Sequence, residues 1–377
     1  MNKAKKAIFL KNSSKPIPRV KRMMLVAYDL KYDCLFIGAY RSESDQPREV
    51  WDGVEISRVG RYYPPLNGKN LFKLVFSLFS LNWGMIRALF EEKPDLIHSS
   101  DIETAIPAFI YSKIKNVPVI YNIHDNLHQR YAVGSFAQGI LRFIESFFIY
   151  SFDATTVPEE FRKQAYPALC QKKIHIIKNS PDISSTTNKN RFSTTGLINI
   201  LYAGWLDEGR GLDYLLDLAI NENIHVTIAG LGDSRFLERI KALKNVTYKG
   251  FLSHSDILEL TCQTDFVFAV YDPVRIINKY AASNKIAEAL YFGKPVICNN
   301  EMKIASLLVE NNCCVSFDYA DVSSVYPKLC ELKSNRSDYM LMSDNAINLY
   351  NKEYSWETVK NSIYAIFNLV GGLDVQK

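Results

Sequence analysis

Apolar and polar positions follow two rhythms along this chain. Short, nearly continuous apolar runs predict strands: "KAIFL" (6–10), "CLFIGAY" (34–40), "DLIHSS" (95–100), "PVIYNIH" (118–124), "DATTVP" (153–158) and "KIHIIKN" (173–179). Between them lie longer stretches with helical spacing, for instance "PRVKRMMLVAYD" (18–29) and "DIETAIPAFIYSKIK" (101–115). A second series follows with "NILYAGW" (199–205), "HVTIAG" (225–230), "NVTYKGF" (245–251), "DFVFAV" (265–270), "KPVICN" (294–299) and "CCVSFD" (313–318). Strands apolar on both faces and alternating with helices imply parallel sheets covered on both sides, an α/β architecture. The polar stretch "NSPDISSTTNKNRFSTTG" (179–196) reads as a linker between the two series. The expected organisation is two doubly wound Rossmann-like domains, 1–182 and 183–353, and a closing helix over 354–377 that begins at "YSWE". Ligands of such sheets bind beyond the carboxyl ends of the strands, so a cleft between two of them suits a two-substrate reaction.

Composition narrows this only a little. With 377 residues, 47% hydrophobic and 23% charged, the chain reads as an ordinary globular protein with core enough for two domains. A net charge of +5 is too small to argue for nucleic acid, yet it suits anionic substrates or an anionic membrane surface. The seven cysteines are odd in number and form no C-x-x-C pair, which predicts reduced, mostly buried thiols and a cytoplasmic setting. No signal peptide is expected from "MNKAKKAIFL". The most apolar stretches, 71–90 and 136–152, are interrupted by Lys73, Asn82 and Arg87 and by Arg142 and Glu145. They predict amphipathic helices, packed on a sheet or resting on a bilayer, rather than membrane spans.

Several segments carry candidate chemistry. "LYAGWLDEGRGLDYLLDLA" reads as a strand, a turn with Gly204, Gly209 and Gly211, and a helix from about Leu212. Backbone N–H groups at a helix start attract anions, and Arg210 adds a forked cation there; a solvated arginine in a glycine-rich loop is the plainer reading. "IAGLGD" (228–233) holds only part of a G-x-G-x-x-G pattern, because position 235 is Arg. In "SNKIAEALYFGKPVI" (283–297), a helix from about Asn284 places 284, 285 and 288 on one face. Lys285 and Glu288 then form an ordinary i,i+3 ion pair, or line a site where Lys285 meets an anion and Glu288 accepts from a diol. His124 is either a strand-end core histidine or a site residue, and His98 is a weaker candidate of the same kind. "DIE" (101–103) has the look of a metal triplet, but acids at a helix start are common for dipole reasons, and no metal is expected. Arg58, Arg61, Tyr62, Tyr63, Lys69 and Lys73 cluster as basic and aromatic residues that fit either a solvated loop or a lipid-linked saccharide.

Taken together, these segments resemble a retaining glycosyltransferase of family four with the GT-B fold, of the kind used in bacterial polysaccharide and glycan synthesis. "PRVKRM", "KPDLIHSSDIETAIPAF", "VPVIYNIHDN", "DATTVPEEFRK…KIHIIKNSPD", "AGWLDEGRGLDYLL", "IAGLGD", "VTYKGFLSHSDI", "SNKIAEALYFGKPVI" and "YSWE" follow in that family's order. The resemblance implies two domains facing across a cleft and a last helix that crosses back to the first. It implies transfer of a sugar, with retention, from a UDP- or GDP-sugar to a saccharide or lipid-linked acceptor, without cofactor or metal. It places catalysis on His124, Arg210 and Lys285. Donor binding falls to Glu288 at the ribose, Ser283 and Asn284 at the helix start, Gly204, Gly230 and Gly232 in the loops, and Phe251 beside the base. Two departures stand out: Tyr280 occupies the position where many members read the donor sugar with Glu, and Gly204-Trp205 replaces their frequent Gly-Arg. Tyr280, with neighbours such as Asn278, would then take part in sugar recognition. The expected setting is the cytoplasm, with contact at the inner face of the membrane left open and no nucleic acid partner. A nucleotide-sugar epimerase on the same fold and a non-catalytic donor-binding subunit are the rival readings.

Overall fold

The computed structural model describes residues 4–62, 71–131, 133–181 and 196–372. The chain divides into two compact units, Met1–Lys178 with Val359–Lys377, and Asn179–Thr358.

The first unit is built on eight strands: β1 (Lys6–Leu10), β2 (Asp33–Ala39), β3 (Arg48–Trp51), β4 (Val54–Val59), β5 (Leu96–Ser100), β6 (Val119–Asn122), β7 (Ala154–Val157) and β8 (Ile174–Ile176). Their order is β3-β4-β2-β1-β5-β6-β7-β8, parallel except for the antiparallel pair β3–β4. Ile8, Leu10, Ile37, Ile97 and Tyr121 are fully buried in its core, as continuous apolar strands demand. The hairpin β3–β4 was not foreseen from the hydrophobic rhythm. Its signal was the Asp52-Gly53 pair, whose φ values of 53° and 75° are those of a tight two-residue hairpin turn. The last helix, Trp356–Gly371, belongs to this unit from Val359 onward. Phe367 packs 6.1 Å from the Tyr32 ring, and Lys360 and Tyr364 both reach Asp29.

The second unit holds six parallel strands: β9 (Ile198–Ala203), β10 (Ile224–Ala229), β11 (Val246–Tyr248), β12 (Phe266–Phe268), β13 (Val296–Asn299) and β14 (Cys314–Phe317), in the order β11-β10-β9-β12-β13-β14. Tyr202, Ile228, Phe268 and Ile297 are fully buried at its centre. The order reverses on either side of β9, so the loops after β9 and β12 open at a topological switch point. All seven cysteines are free thiols; Cys314 and Cys330 are partly exposed and the rest buried.

Candidate functional site

The loop after β9 and the segment after β12 meet on one tyrosine. Arg210 ends the short helix Glu208–Arg210, which Asp207 caps by accepting from the Gly209 N–H at 2.7 Å. Arg275 pairs with the same Asp207 at 3.2 Å, and the Asn278 amide donates to the Gly209 carbonyl at 3.1 Å, so the turn is fixed from the far side. Its guanidinium lies 4.9 Å from the centre of the buried Tyr271 ring. Lys285 approaches that ring as well, 5.5 Å away, and sits 4.2 Å over the Tyr202 ring. Among the described residues no carboxylate lies within ion-pair distance of either cation. Burial, with Arg210 beside it, holds the Lys285 ammonium below its usual value, although Tyr271 and the Glu288 carboxylate partly offset this. Burial opposes ionisation of the Tyr271 phenol, but Lys285, the Ser283 hydroxyl and Arg210 outweigh it and draw the phenol below its ordinary range. Two positive groups thus converge on one phenol, with Glu288 acting on Lys285 only from beyond ion-pair distance.

Lys285 and Glu288 share the helix Asn284–Tyr291 but do not pair with each other. Glu288, buried, is held by the half-exposed His254, whose Nε2 lies 3.0 Å from Oε1. His254 opens the helix His254–Gln263, whose capping box is Ser253 and Asp256. Three residues before it, Phe251 is 76% exposed. Ser283 precedes the helix at its N-cap with no side-chain cap bond, Asn284 is exposed at the first turn, and Tyr280 is half-buried at the end of Ile276–Lys279. The Trp205 side chain is 65% exposed, while its carbonyl accepts from the Tyr202 hydroxyl.

Two of the expected glycines make room for neighbouring backbone. A Cβ on Gly230, where φ is 145°, would lie 1.8 Å from the Gly204 carbonyl oxygen, and one on Gly232 would lie 2.1 Å from that of Leu206. What they admit in this structure is the backbone of the 204–206 loop. That backbone contact ties the two loops beside Arg210 into one rim.

In the first unit, His124 belongs to a separate cluster around Asp101. The Asp101 carboxylate accepts from the His124 N–H at 2.9 Å, contacts His124 Nδ1 at 3.0 Å and Arg130 at 2.8 Å, and pairs with Lys11. Burial pushes the Asp101 carboxyl up, but His124, Lys11 and Arg130 win and hold it well below the usual range. A carboxylate that stays ionised cannot donate, so the proton lies on Nδ1 and Nε2 keeps its lone pair. Burial also lowers His124 against the pull of Asp101, so the ring is neutral at physiological pH. Glu103 pairs with Arg130 at 2.9 Å, so both acids of "DIE" are engaged with cations. His98 is fully buried beside the Phe9 ring, with neither ring nitrogen partnered among the described residues.

Arg58 corrects its expectation as an acceptor contact: its side chain is buried, paired with Glu49 at 2.5 Å and donating to the carbonyls of Ser14 and Gln46. Arg61 and Lys73 are exposed and Tyr62 half-buried, whereas Tyr63 and Lys69 lie outside the described residues.

Residues 29–185 match the model described as Glycosyltransferase Family 4, and residues 198–335 match Glycosyl transferases group 1. The chain is a glycosyltransferase of the family-4 type. The glycogen synthase of Mycobacterium tuberculosis (strain CDC 1551 / Oshkosh) is 21% identical to it over 295 residues, which is 73% of this chain and 69% of that protein. The structure of sucrose-phosphate synthase from Thermosynechococcus elongatus superposes with a TM-score of 0.77 at 12% identity, covering 98% of this chain and 99% of its own. Anabaena HepE in complex with UDP gives a TM-score of 0.72 at 14% identity, covering 96% and 99%. The fold of this glycosyltransferase is GT-B, two Rossmann-like parallel sheets with helices on both faces. It transfers a sugar.

Reading the sequence of this glycosyltransferase missed Tyr202, Tyr271 and His254. The two tyrosines end or follow strands of the second sheet, a position that marks ligand sites in such folds. His254 carried no signal beyond its place at a helix start.

Proposed function

We propose that this glycosyltransferase moves a sugar with retention from a nucleoside-diphosphate sugar to a saccharide or lipid-linked acceptor in polysaccharide assembly. One observation carries the donor side: Arg210 and Lys285 converge on the Tyr271 ring with no carboxylate in reach among the described residues. Half-buried cations with no carboxylate at ion-pair distance are costly unless an anion completes them. A diphosphate fits, because breaking the anomeric bond loads negative charge onto the leaving phosphate. Arg210, Lys285 and the start of the Asn284–Tyr291 helix meet that charge without a metal.

Glu288 takes the vicinal ribose hydroxyls, with His254 orienting its carboxylate. The exposed Phe251 stacks on the base, and Tyr280 with Asn278 takes the place of a sugar-reading carboxylate. Neutral His124, whose Nε2 lies 3.4 Å from the Asn122 side-chain amide, is not the general base. The bond from the anomeric carbon to the phosphate oxygen breaks as the bond to the acceptor oxygen forms. The acceptor's hydroxyl proton passes to the departing phosphate.

The likeness to glycogen synthase, whose product is a polysaccharide, favours a glycan acceptor. No helix among the described residues is long and apolar enough to cross a membrane. A cytoplasmic setting, with contact at the inner membrane face where a lipid-linked acceptor would be met, is part of this proposal. The test is a melting-point titration with UDP, GDP and their sugars, because a ligand that binds only folded protein raises the midpoint with concentration. A rise with one nucleotide that Arg210→Ala abolishes supports the reading, and no rise with any of them overturns it. Donor consumed to a new sugar nucleotide without acceptor would make the chain an epimerase instead. NMR of the anomeric proton in the product checks retention.

A further inference from the structure

Three helices of the first unit present an apolar and basic face that nothing in the sugar-transfer site uses. The helices Leu71–Glu92, Ile102–Lys115 and Ser135–Ser151 connect β4 to β5, β5 to β6 and β6 to β7, each moving the same way across the sheet. Right-handed crossovers therefore put all three on one side. They pack on one another: the Asn82 amide donates to the Glu103 carbonyl at 3.2 Å, and the Phe109 ring lies 5.4 Å from Phe147.

Their outward side is unusually apolar. Phe76, Phe79 (67% exposed) and Trp83 (58%) line the first helix, and Ile106 and Ile114 the second. Phe136 (83%), Ile140, Phe143 (75%), Phe147 and Tyr150 line the third. Spacing of three and four residues keeps Phe76, Phe79, Trp83 and Arg87 in one stripe. The exposed charges on these helices are Lys73, Arg87, Lys113, Lys115 and Arg142 against Glu91 alone. Beside Trp83, a shallow depression of about 390 Å³ is lined by Arg61, Arg87 and Glu91. Glu91 is an exposed i,i+4 partner of Arg87 at 3.8 Å, and this weak, solvent-screened pairing leaves two cations against one carboxylate there.

We infer that this three-helix face docks on the surface of an anionic lipid bilayer, with Phe79, Trp83, Phe136 and Phe143 entering the headgroup boundary and Arg61 and Arg87 holding a lipid phosphate. Aromatic side chains suit that depth, and each basic residue near an anionic surface adds attraction. A second copy of this chain is the weaker occupant, since a two-fold contact would set the same basic residues against themselves. The inference rests on the proposed lipid-linked acceptor, which it gives a place to be met.

The experiment is co-sedimentation of the full chain with vesicles of phosphatidylcholine alone and of phosphatidylcholine with phosphatidylglycerol. The wild type binds the mixed vesicles most tightly. Phe79→Ser with Phe143→Ser lowers binding to the mixed vesicles by about tenfold or more, through lost apolar burial. Arg87→Glu with Arg142→Glu lowers it by about tenfold on the mixed vesicles only. An unchanged far-ultraviolet circular dichroism spectrum and an unchanged urea-unfolding midpoint show that both variants keep the first unit folded. Binding that neither double variant weakens, or a dimer in the ultracentrifuge that the variants disperse while vesicles bind nothing, overturns the inference. A wild type that binds vesicles but shows no melting shift with UDP or GDP separates failure of the proposed function from failure of this face.

Discussion

The two charge clusters of this glycosyltransferase are built on opposite plans. In the first unit, Lys11, His124 and Arg130 all close on the single buried carboxylate of Asp101, which satisfies them before any ligand arrives. In the second unit, Arg210 and Lys285 rest on the rings of Tyr271 and Tyr202. A carboxylate would neutralise those cations and compete with a phosphate; a ring face restrains them while leaving their charge to be used. The first plan positions a neutral group, and the second keeps positive potential in reserve.

That contrast can be broken most forcefully at Asp101. Asp101→Ala removes the carboxylate shared by two part-buried cations, Lys11 and Arg130, of which Arg130 keeps Glu103. The first unit should therefore lose about 3 kcal/mol of stability in urea unfolding. The nucleotide-dependent melting shift of the second unit should persist; its disappearance would mean the two plans are not independent. Arg210→Ala should leave stability nearly unchanged and lower kcat by about 10²–10³-fold, the scale for one preorganised charge-stabilising donor. Near-normal turnover would remove Arg210 from the chemistry.

Acid and base sides of the first unit's stability sharpen the comparison further. Burial, with His124 and Arg19 nearby, depresses His98 to about 3. The unfolded chain takes up that proton near 6.5 and the folded chain only near 3, so stability erodes as pH falls through this window. His98→Leu should flatten the acid limb of a melting-temperature profile. Burial pushes Glu145 the other way, to about 7, although the Tyr166 hydroxyl and the Leu127 N–H bind its carboxylate. Its contribution is full below about 4.5 and is lost as pH rises through about 7. Glu145→Gln should flatten that loss, and a profile unchanged in both variants would assign the pH dependence elsewhere. The smallest effect belongs to His254→Ala: because His254 is half-exposed and only orients Glu288, nucleotide affinity should fall less than about tenfold by calorimetry.

Much of the fold was legible because buried parallel strands must be apolar on both faces. The runs at 6–10 and 34–40, and the helix at 18–29, stand within a residue of where they were expected. The hairpin β3–β4 escaped because its edge strand is half-solvated and lacks that pattern, leaving only its turn residues as a clue. The helix from Asn284 was readable, and so was the choice between an internal Lys285–Glu288 pair and a site. That Lys285 and Glu288 take other partners was not readable, because those partners, Tyr202, Tyr271 and His254, lie on other elements.

Sequence alone therefore determined the alternation of strand and helix, the two-unit organisation and the family, since these depend on local periodicity and on motif order. Only the tertiary structure decided that Lys285 and Arg210 share aromatic supports instead of a carboxylate, that Arg58 is buried, and that Gly230 makes room for Gly204. The physical reason is that charge compensation and close backbone approach are made by groups far apart in the chain, and no local spacing records which of them will meet.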